Sequence, residues 1–129
     1  MKIRNGFTLP ELIVVTAVAG LIFIIFFVQK ANVDAMNRDD ARKTAVNAMY
    51  YALEEGFYTE HKYYPETISE ENLKAMDPAL FTDPSGVNLG KEGCSYTYEP
   101  GNCKDGKCKE YILRAKLEKE DIYEKRNRN

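Results

Sequence analysis

Hydrophobic positions follow two different patterns along this chain. From Leu12 to Val28, 17 consecutive residues carry no charge, and Thr16 is the only polar side chain among them. Counted from Phe7, the stretch offers 22 residues, and a helix needs about 20 to cross the hydrocarbon core of a membrane. The uninterrupted apolar run therefore predicts a membrane-spanning helix.

Beyond Lys30 the apolar positions recur at helical spacing, and no helix breaker interrupts them. They are Ala35, Ala41/Ala45, Val46, Met49, Leu53 and Phe57. This spacing predicts one buried stripe on a helix. The polar residues of the same stretch are expected to lie mostly on the other faces; they are Asn32, Asp34, Arg38, Asp39, Arg42, Lys43 and Asn47.

These two patterns together predict one long helix of about 50 residues, roughly 75 Å at 1.5 Å per residue. We expect it to end near His61–Tyr64, because Pro65 disfavours a helical conformation at the residue before it. A short helix is expected at Ser69–Leu73, with Ser69 as its N-cap.

Two later segments alternate with period two, which is typical of strands. One runs from Cys94 to Tyr98 and the other from Tyr111 to Leu117. Between them, Asp105-Gly106 is a strong signal for a two-residue hairpin turn. The charged tail that follows has Ile122 and Tyr123 as candidates for contact with the sheet. The chain is therefore expected to be α+β, with a long N-terminal helix packed on a small antiparallel β-sheet.

The three cysteines predict one disulfide if the protein faces an oxidising exterior. With Asp105-Gly106 as the turn, Cys103 opposes Cys108 as a non-hydrogen-bonded pair, whose Cα atoms are about 4.5 Å apart, within disulfide range. Cys94 is then left over; it either packs as a small hydrophobe or pairs with one of the others instead. A zinc site is the sharper alternative, but the spacing lacks a second cysteine pair and His61 is distant.

Composition excludes other functions rather than indicating one. The formal charge is −2, from 18 basic and 20 acidic side chains, and no basic patch or motif indicates nucleic-acid binding. No phosphate-binding loop, histidine-paired nucleophile or supported carboxylate pair indicates an enzyme, and no cofactor is implied. Asp77, Asp83 and Ser85 are candidate calcium ligands, although turn-forming residues are the simpler interpretation. The single histidine and the nine tyrosines are interpreted as surface and core residues.

The N-terminal residues carry the most specific motif. Gly6-Phe7-Thr8-Leu9-Pro10-Glu11 follows Lys2 and Arg4 and leads directly into the apolar run. An ionisable group at the edge of such a segment is costly unless it finds a partner, so Glu11 is a functional candidate. Lys2 and Arg4 predict a cytoplasmic N-terminus, with everything after Lys30 outside.

This motif resembles the class III signal peptide of type IV pilins and pseudopilins. The resemblance implies cleavage between Gly6 and Phe7, N-methylation of Phe7, and a role for Glu11 in assembly. Gly20 matches a helix-weakening glycine of that family. The implied segments are a leader at 1–6, a transmembrane and filament-core helix at 7–30, its amphipathic second half at 31–60, and a small globular part at 61–129.

The resemblance also implies partners and a location. The subunit would leave the lipid of the cytoplasmic (inner) membrane for a helical homo-oligomeric filament at the cell surface. It would be processed by a prepilin peptidase and methyltransferase and lifted by an assembly platform and ATPase. Two alternatives stay open: a pseudopilin of a type II secretion or DNA-uptake system, and a membrane-anchored domain that builds no filament.

Overall fold

A computed structural model describes residues 6–129; Lys2 and Arg4, which determine the predicted orientation, lie outside the described residues. The chain is helical from Leu9 to His61. This helix comprises α1 (Leu9–Tyr51), a π-helical segment (Ala52–Phe57) and α2 (Tyr58–His61). It ends because Lys62 adopts a left-handed conformation (φ 63°) while its N–H donates to the Tyr58 carbonyl. The predicted end of the helix is confirmed.

The chain divides by its internal packing into two units, one ending at Asp34 and one covering Ala35–Asn129. We call them the N-terminal unit and the C-terminal unit. In the N-terminal unit every described residue is exposed except Asn32, which is half-buried. By length and composition its helix is able to cross a membrane.

The C-terminal unit contains five short strands. They are β1 (Tyr64–Pro65), β2 (Tyr96–Gly101), β3 (Lys107–Cys108), β4 (Glu110–Ala115) and β5 (Tyr123–Arg126). Strands β1 and β3 pair antiparallel, and β2, β4 and β5 form a second antiparallel sheet in that order. The fold-class prediction is confirmed, and the layout is consistent with a pilin-like fold.

The predicted hairpin is formed as expected. Asp105 (φ 52°) and Gly106 (φ 77°) both lie in the left-handed region, which a two-residue type I′ turn requires. The flanking Lys104 and Lys107 exchange two backbone hydrogen bonds of 2.9 and 3.0 Å. Next to them the Cys103–Cys108 disulfide is present, with a Cα–Cα distance of 3.9 Å. The predicted pairing of these cysteines is confirmed, and Cys94 is the free one.

The hydrophobic core forms where one helix face meets the larger sheet. Ala45, Val46, Met49 and Leu53 supply the helix side. The strands and loops supply Tyr64, Leu73, Met76, Phe81, Tyr96, Cys108, Tyr111, Leu113, Ala115 and Leu117. Of the two alternatives at the start of the predicted stripe, Ala45 is buried and Ala41 is exposed. Phe57, at the far end of the stripe, is half-buried.

One local expectation differs from the structure, and another is met in part. The short helix predicted at Ser69–Leu73 is wrong: a single turn is found, closed by the Leu73 N–H donating to the Ser69 carbonyl. Asn72 accepts from the Ser69 N–H (2.8 Å) and donates to the Thr67 carbonyl (2.7 Å), so its side chain replaces further helical bonds. The charged tail forms β5, with Tyr123 half-buried and Ile122 exposed.

Leu53 and Tyr51 allow a direct test of which helix face carries the core. Leu53 is fully buried and Tyr51 is 57% exposed. We expect Leu53→Ala to lower the free energy of unfolding by about 2–5 kcal/mol through lost burial and a residual cavity. Tyr51→Ala should change it by less than about 0.5 kcal/mol. Urea unfolding of the full chain in detergent measures both, and equal losses would contradict the assignment of the core face.

Candidate functional site

The helix begins at Leu9, one residue after Thr8. Thr8 occupies the N-cap position and Glu11 the third helical position, where a carboxylate reaches back to the N-cap. Glu11 Oε2 accepts from the Thr8 N–H and the Thr8 hydroxyl, each at 3.4 Å. Pro10 lies in the first turn, where no intrahelical donor is lost. The Thr-x-x-Glu spacing is a capping-box signal that the sequence interpretation missed.

The three residues before the helix are non-helical and exposed. Phe7 is 72% exposed. A Cβ atom added to Gly6 would meet no other atom within 4 Å, so the space around Gly6 is open. The Gly6–Phe7 peptide bond is therefore accessible to an external enzyme. Glu11 is also exposed, at the end of the helix where the macrodipole favours a negative charge.

The apolar run makes a helical surface that no other part of residues 6–129 covers. The most apolar stretch of this helix has no buried residue, and Phe23, Phe26 and Phe27 are each more than 60% exposed. Thr16 donates its hydroxyl back to the Leu12 and Ile13 carbonyls, at 3.0 and 2.9 Å. The one polar side chain in the run is thus satisfied within the helix, as lipid or a dry protein interface requires.

Gly20 lies in the middle of this surface. A Cβ built on Gly20 meets nothing within 4 Å, so the isolated chain does not require glycine there. Any requirement for Gly20 has to come from close approach of a neighbouring molecule or from its low helix propensity.

A buried ionic cluster lies at the start of the C-terminal unit. Arg42 is 4% exposed and sits between Asp39 and Asp83, which are 1% and 2% exposed. Its guanidinium donates to Asp39 (3.0 Å), Asp83 (3.3 Å) and Glu118 (2.8 Å). We call these four residues the Arg42 cluster. Its members come from the helix, the 83–85 turn and the segment after β4, so it fastens three distant parts of the chain together.

Asp39 extends this cluster to the backbone. Its two carboxylate oxygens accept from the N–H groups of Glu118 and Lys119, each at 2.8 Å. Burial opposes ionisation of Asp39, but those two donors and Arg42 outweigh it, so the pKa of Asp39 lies below its ordinary value. The expectation that Asp39 and Arg42 lie on exposed helix faces is wrong, because both are paired inside the fold.

The other carboxylates of the cluster are held ionised in the same way. Burial opposes ionisation of Asp83, but the Ser85 N–H and Arg42 lower its pKa. Hydrogen bonds from Arg38 and Arg42 lower the pKa of Glu118 to about 2. The carboxylate oxygens of Asp83 accept hydrogen bonds from Arg42 and from backbone N–H groups. Asp77 accepts from the Ala79 N–H at 2.9 Å. Ser85, the third candidate calcium ligand, accepts from Arg42 through its hydroxyl oxygen at 3.2 Å, so all three candidates have turn or ion-cluster contacts in this structure.

Another buried carboxylate, Glu54, lies outside the Arg42 cluster in the π-helical segment. It is 5% exposed and accepts from the hydroxyls of Tyr64 (3.1 Å) and Tyr111 (2.8 Å). The Arg128 N–H also donates to it, at 3.0 Å. Burial and the nearby Glu54 carboxylate raise the pKa of Tyr64 to about 12, and they raise the pKa of Tyr111 further. These tyrosines stay protonated and act as donors.

The remaining candidates have ordinary surroundings. The His61 ring stacks on Phe57 with centroids 4.2 Å apart, and its Nδ1 lies 3.0 Å from the Phe57 carbonyl oxygen. Cys94 is half-buried and its thiol donates to the Val87 carbonyl. Among residues 6–129 the structure gathers no group of three or more histidine, cysteine or acidic side chains that fits a metal ion.

Comparison with family models, curated proteins and solved structures finds no match for this chain.

The Arg42 cluster predicts how stability depends on pH. Because the pKa values of Asp39 and Asp83 are lower in the folded chain, their contribution is complete above their unfolded pKa, near pH 4. It is lost as the pH falls through their folded pKa values. The free energy of unfolding should therefore be level near pH 7 and fall below about pH 4.

Asp39→Asn tests this prediction. The variant should lose about 3 kcal/mol at pH 7, because it removes one partner of a buried ion pair, and its stability should decline less steeply in acid than that of the wild type. Lys43→Gln, which removes the exposed pair with Glu120, is the matched control and should change little. Equal acid slopes for the wild type and Asp39→Asn would contradict the assignment.

Proposed function

We propose that this chain is the structural subunit of a type IV pilus-like filament. It is made as a precursor, cleaved between Gly6 and Phe7, and polymerised from the membrane through the segment that begins at Phe7. The observation that carries the proposal is the order of features along the chain. The cleavage motif and Glu11 directly precede a 17-residue apolar surface that the described part of the chain leaves uncovered.

The apolar surface supports exchange between lipid and protein. Its side chains from Leu12 to Val28 are suited to either environment, and its only hydroxyl is satisfied inside the helix. The membrane then serves as a store of subunits, and an assembly platform and ATPase lift them into the filament. The exposed Gly6–Phe7 bond supports processing by a prepilin peptidase and methyltransferase.

In this proposal Glu11 fixes the position of each subunit relative to its neighbour along the filament. An ionised carboxylate surrounded by apolar side chains is strongly destabilising unless a cation pairs with it. The methylated amine of Phe7 on the adjacent subunit is that cation. The contact of Glu11 with Thr8 is long, at 3.4 Å, and the carboxylate remains exposed, so the cap leaves it available to a neighbour.

Two rivals differ from this proposal in what they require of Glu11. A pseudopilin of a type II secretion or DNA-uptake system also needs it, and differs in how long and how abundant the filament is. A membrane-anchored domain without a filament needs it only as a helix cap. In that case removal of Glu11 and removal of its capping partner should have the same small effect.

Glu11→Gln and Thr8→Val separate assembly from capping. Glu11→Gln keeps a hydrogen-bond acceptor for Thr8 but removes the charge, so we expect surface filaments to be lost. Thr8→Val removes the hydroxyl that donates to Glu11, at a cost of about 0.5–1.5 kcal/mol for one hydrogen bond, and filaments should persist. Shed filaments are quantified by immunoblot of the sheared surface fraction, with total cell protein as the reference.

The processing state of each variant is read from its gel mobility in the same blot. Glu11→Gln should be cleaved but absent from the surface fraction. If Glu11→Gln assembles as well as Thr8→Val does, Glu11 is a cap and the filament proposal fails.

A further inference from the structure

One surface of the C-terminal unit is an apolar groove of about 460 Å³ along the helix. Ala48 and Ala52 of the helix line it together with Met76 and Leu80 from the segment after the helix. Tyr51 stands at its edge with 57% of its surface exposed. We call this surface the Tyr51 groove. A large exposed ring beside an apolar depression is typical of an interaction site rather than of a solvated helix face.

The rim of the groove is acidic. Glu55 and Asp77 both line it. Asp77 has no ion pair among the described residues, and its carboxylate only caps the Ala79 N–H. Glu55 pairs with Arg128 at 3.0 Å, but both side chains are more than half exposed, so this pair is weak and easily exchanged. A matching partner therefore combines apolar side chains with a positive charge.

The chain itself carries a stripe of that chemistry. Phe26, Lys30 and Val33 are spaced i, i+4, i+7 on the helix and so share one face. Phe26 is 62% and Val33 52% exposed, and Lys30 is exposed with no ion pair in the described part of the chain. We call these residues the 26–33 stripe. It presents two large apolar side chains on either side of one cation.

We propose that the Tyr51 groove of one subunit binds the 26–33 stripe of a second copy, with Phe26 and Val33 on the groove and Lys30 facing Asp77. This inference rests on the proposed function and names a contact within that filament. Groove and stripe are different surfaces, so the contact is heterologous. A heterologous contact that does not close into a ring generates an open helical assembly.

Charge complementarity selects the second copy as the occupant. The groove contributes two carboxylates and the stripe contributes a lysine, so the contact removes an unpaired cation and covers apolar surface on both sides. Opposite charges of this kind set register and partner choice more than affinity. A substitution that removes one methyl group from an apolar side chain of the contact should therefore weaken it less than reversal of the charge of Lys30 or Asp77.

Cross-linking between introduced cysteines tests the contact. Val33→Cys and Tyr51→Cys are combined in a Cys94→Ser background, and intact surface filaments are treated with a short bis-maleimide. We expect a ladder of dimers and higher oligomers from the double variant, and monomer from each single variant. Val33→Cys with Ile122→Cys is the matched control, because Ile122 is equally exposed (60%) but lies outside the groove; it should give monomer.

A charge exchange gives a second, independent readout. Lys30→Glu should strongly reduce the yield of sheared filaments, and Lys30→Glu combined with Asp77→Lys should restore much of it. The proposal is overturned if both variants behave alike, or if the restored filaments give no cross-link between positions 33 and 51.

The outcomes separate this inference from the proposed function. Filaments of chain that starts at Phe7, but without the 33–51 cross-link, would overturn the contact and leave the filament intact. Cross-links from position 51 to a protein of different mass would assign the groove to another partner and overturn the second-copy proposal. Absence of any filament from the wild-type chain would overturn both.

Discussion

An apolar helical surface without a cover is the constraint on which the rest of the molecule depends. Full burial of one large aliphatic or aromatic side chain is worth about 1.5–3 kcal/mol, and the run from Leu12 to Val28 is composed almost entirely of such residues. Nothing in the described chain covers them. The run therefore requires lipid or another apolar surface to cover it, and in the proposed filament a cation of the adjacent subunit pairs with Glu11 at its start.

The C-terminal unit meets a different constraint: it buries charges in a small domain. Arg42 binds Asp39 and Asp83, and Glu54 binds two tyrosine hydroxyls. No buried side-chain nitrogen or oxygen among the described residues lacks a partner. Burial of such groups costs desolvation free energy, and their pairing favours one arrangement of the helix, loops and sheet over others. Each of these side chains joins the helix to a segment more than 40 residues away or to Tyr64 in β1, just after the helix. These contacts hold the helix face against the loops and the sheet.

Periodicity and turn chemistry made much of the fold predictable. Alternation at Tyr96 and Tyr98 and the Asp105-Gly106 turn identified the strands and the hairpin register, and that register placed Cys103 opposite Cys108. Local rules suffice there because the interacting residues are close in sequence. The Thr8–Glu11 contact is equally local, because the two residues are three apart at the start of the helix.

Helical spacing places Asp39 and Arg42, at i+4 and i+7 from Ala35, on the buried face of the helix, so periodicity predicts their burial. It does not predict their partners Asp83 and Glu118, or the pairing of Glu54 with Tyr111, because those residues lie far along the chain. The tail contacts the sheet through Tyr123, as its sequence indicated, but the pairs that Glu124 makes with Arg114 and Arg126 could not be predicted. Long-range ion pairs carry no periodic signal.

The central claim is that this chain enters a filament through a newly created N-terminus. Intact-mass and N-terminal peptide mass spectrometry on the protein from its native membrane or shed surface fraction tests it most directly. The account predicts a chain that begins at methylated Phe7 and is two hydrogens lighter than the reduced form, because of the single disulfide. A chain that still begins at Met1, from cells with an active prepilin peptidase, would contradict it and leave a membrane-anchored domain.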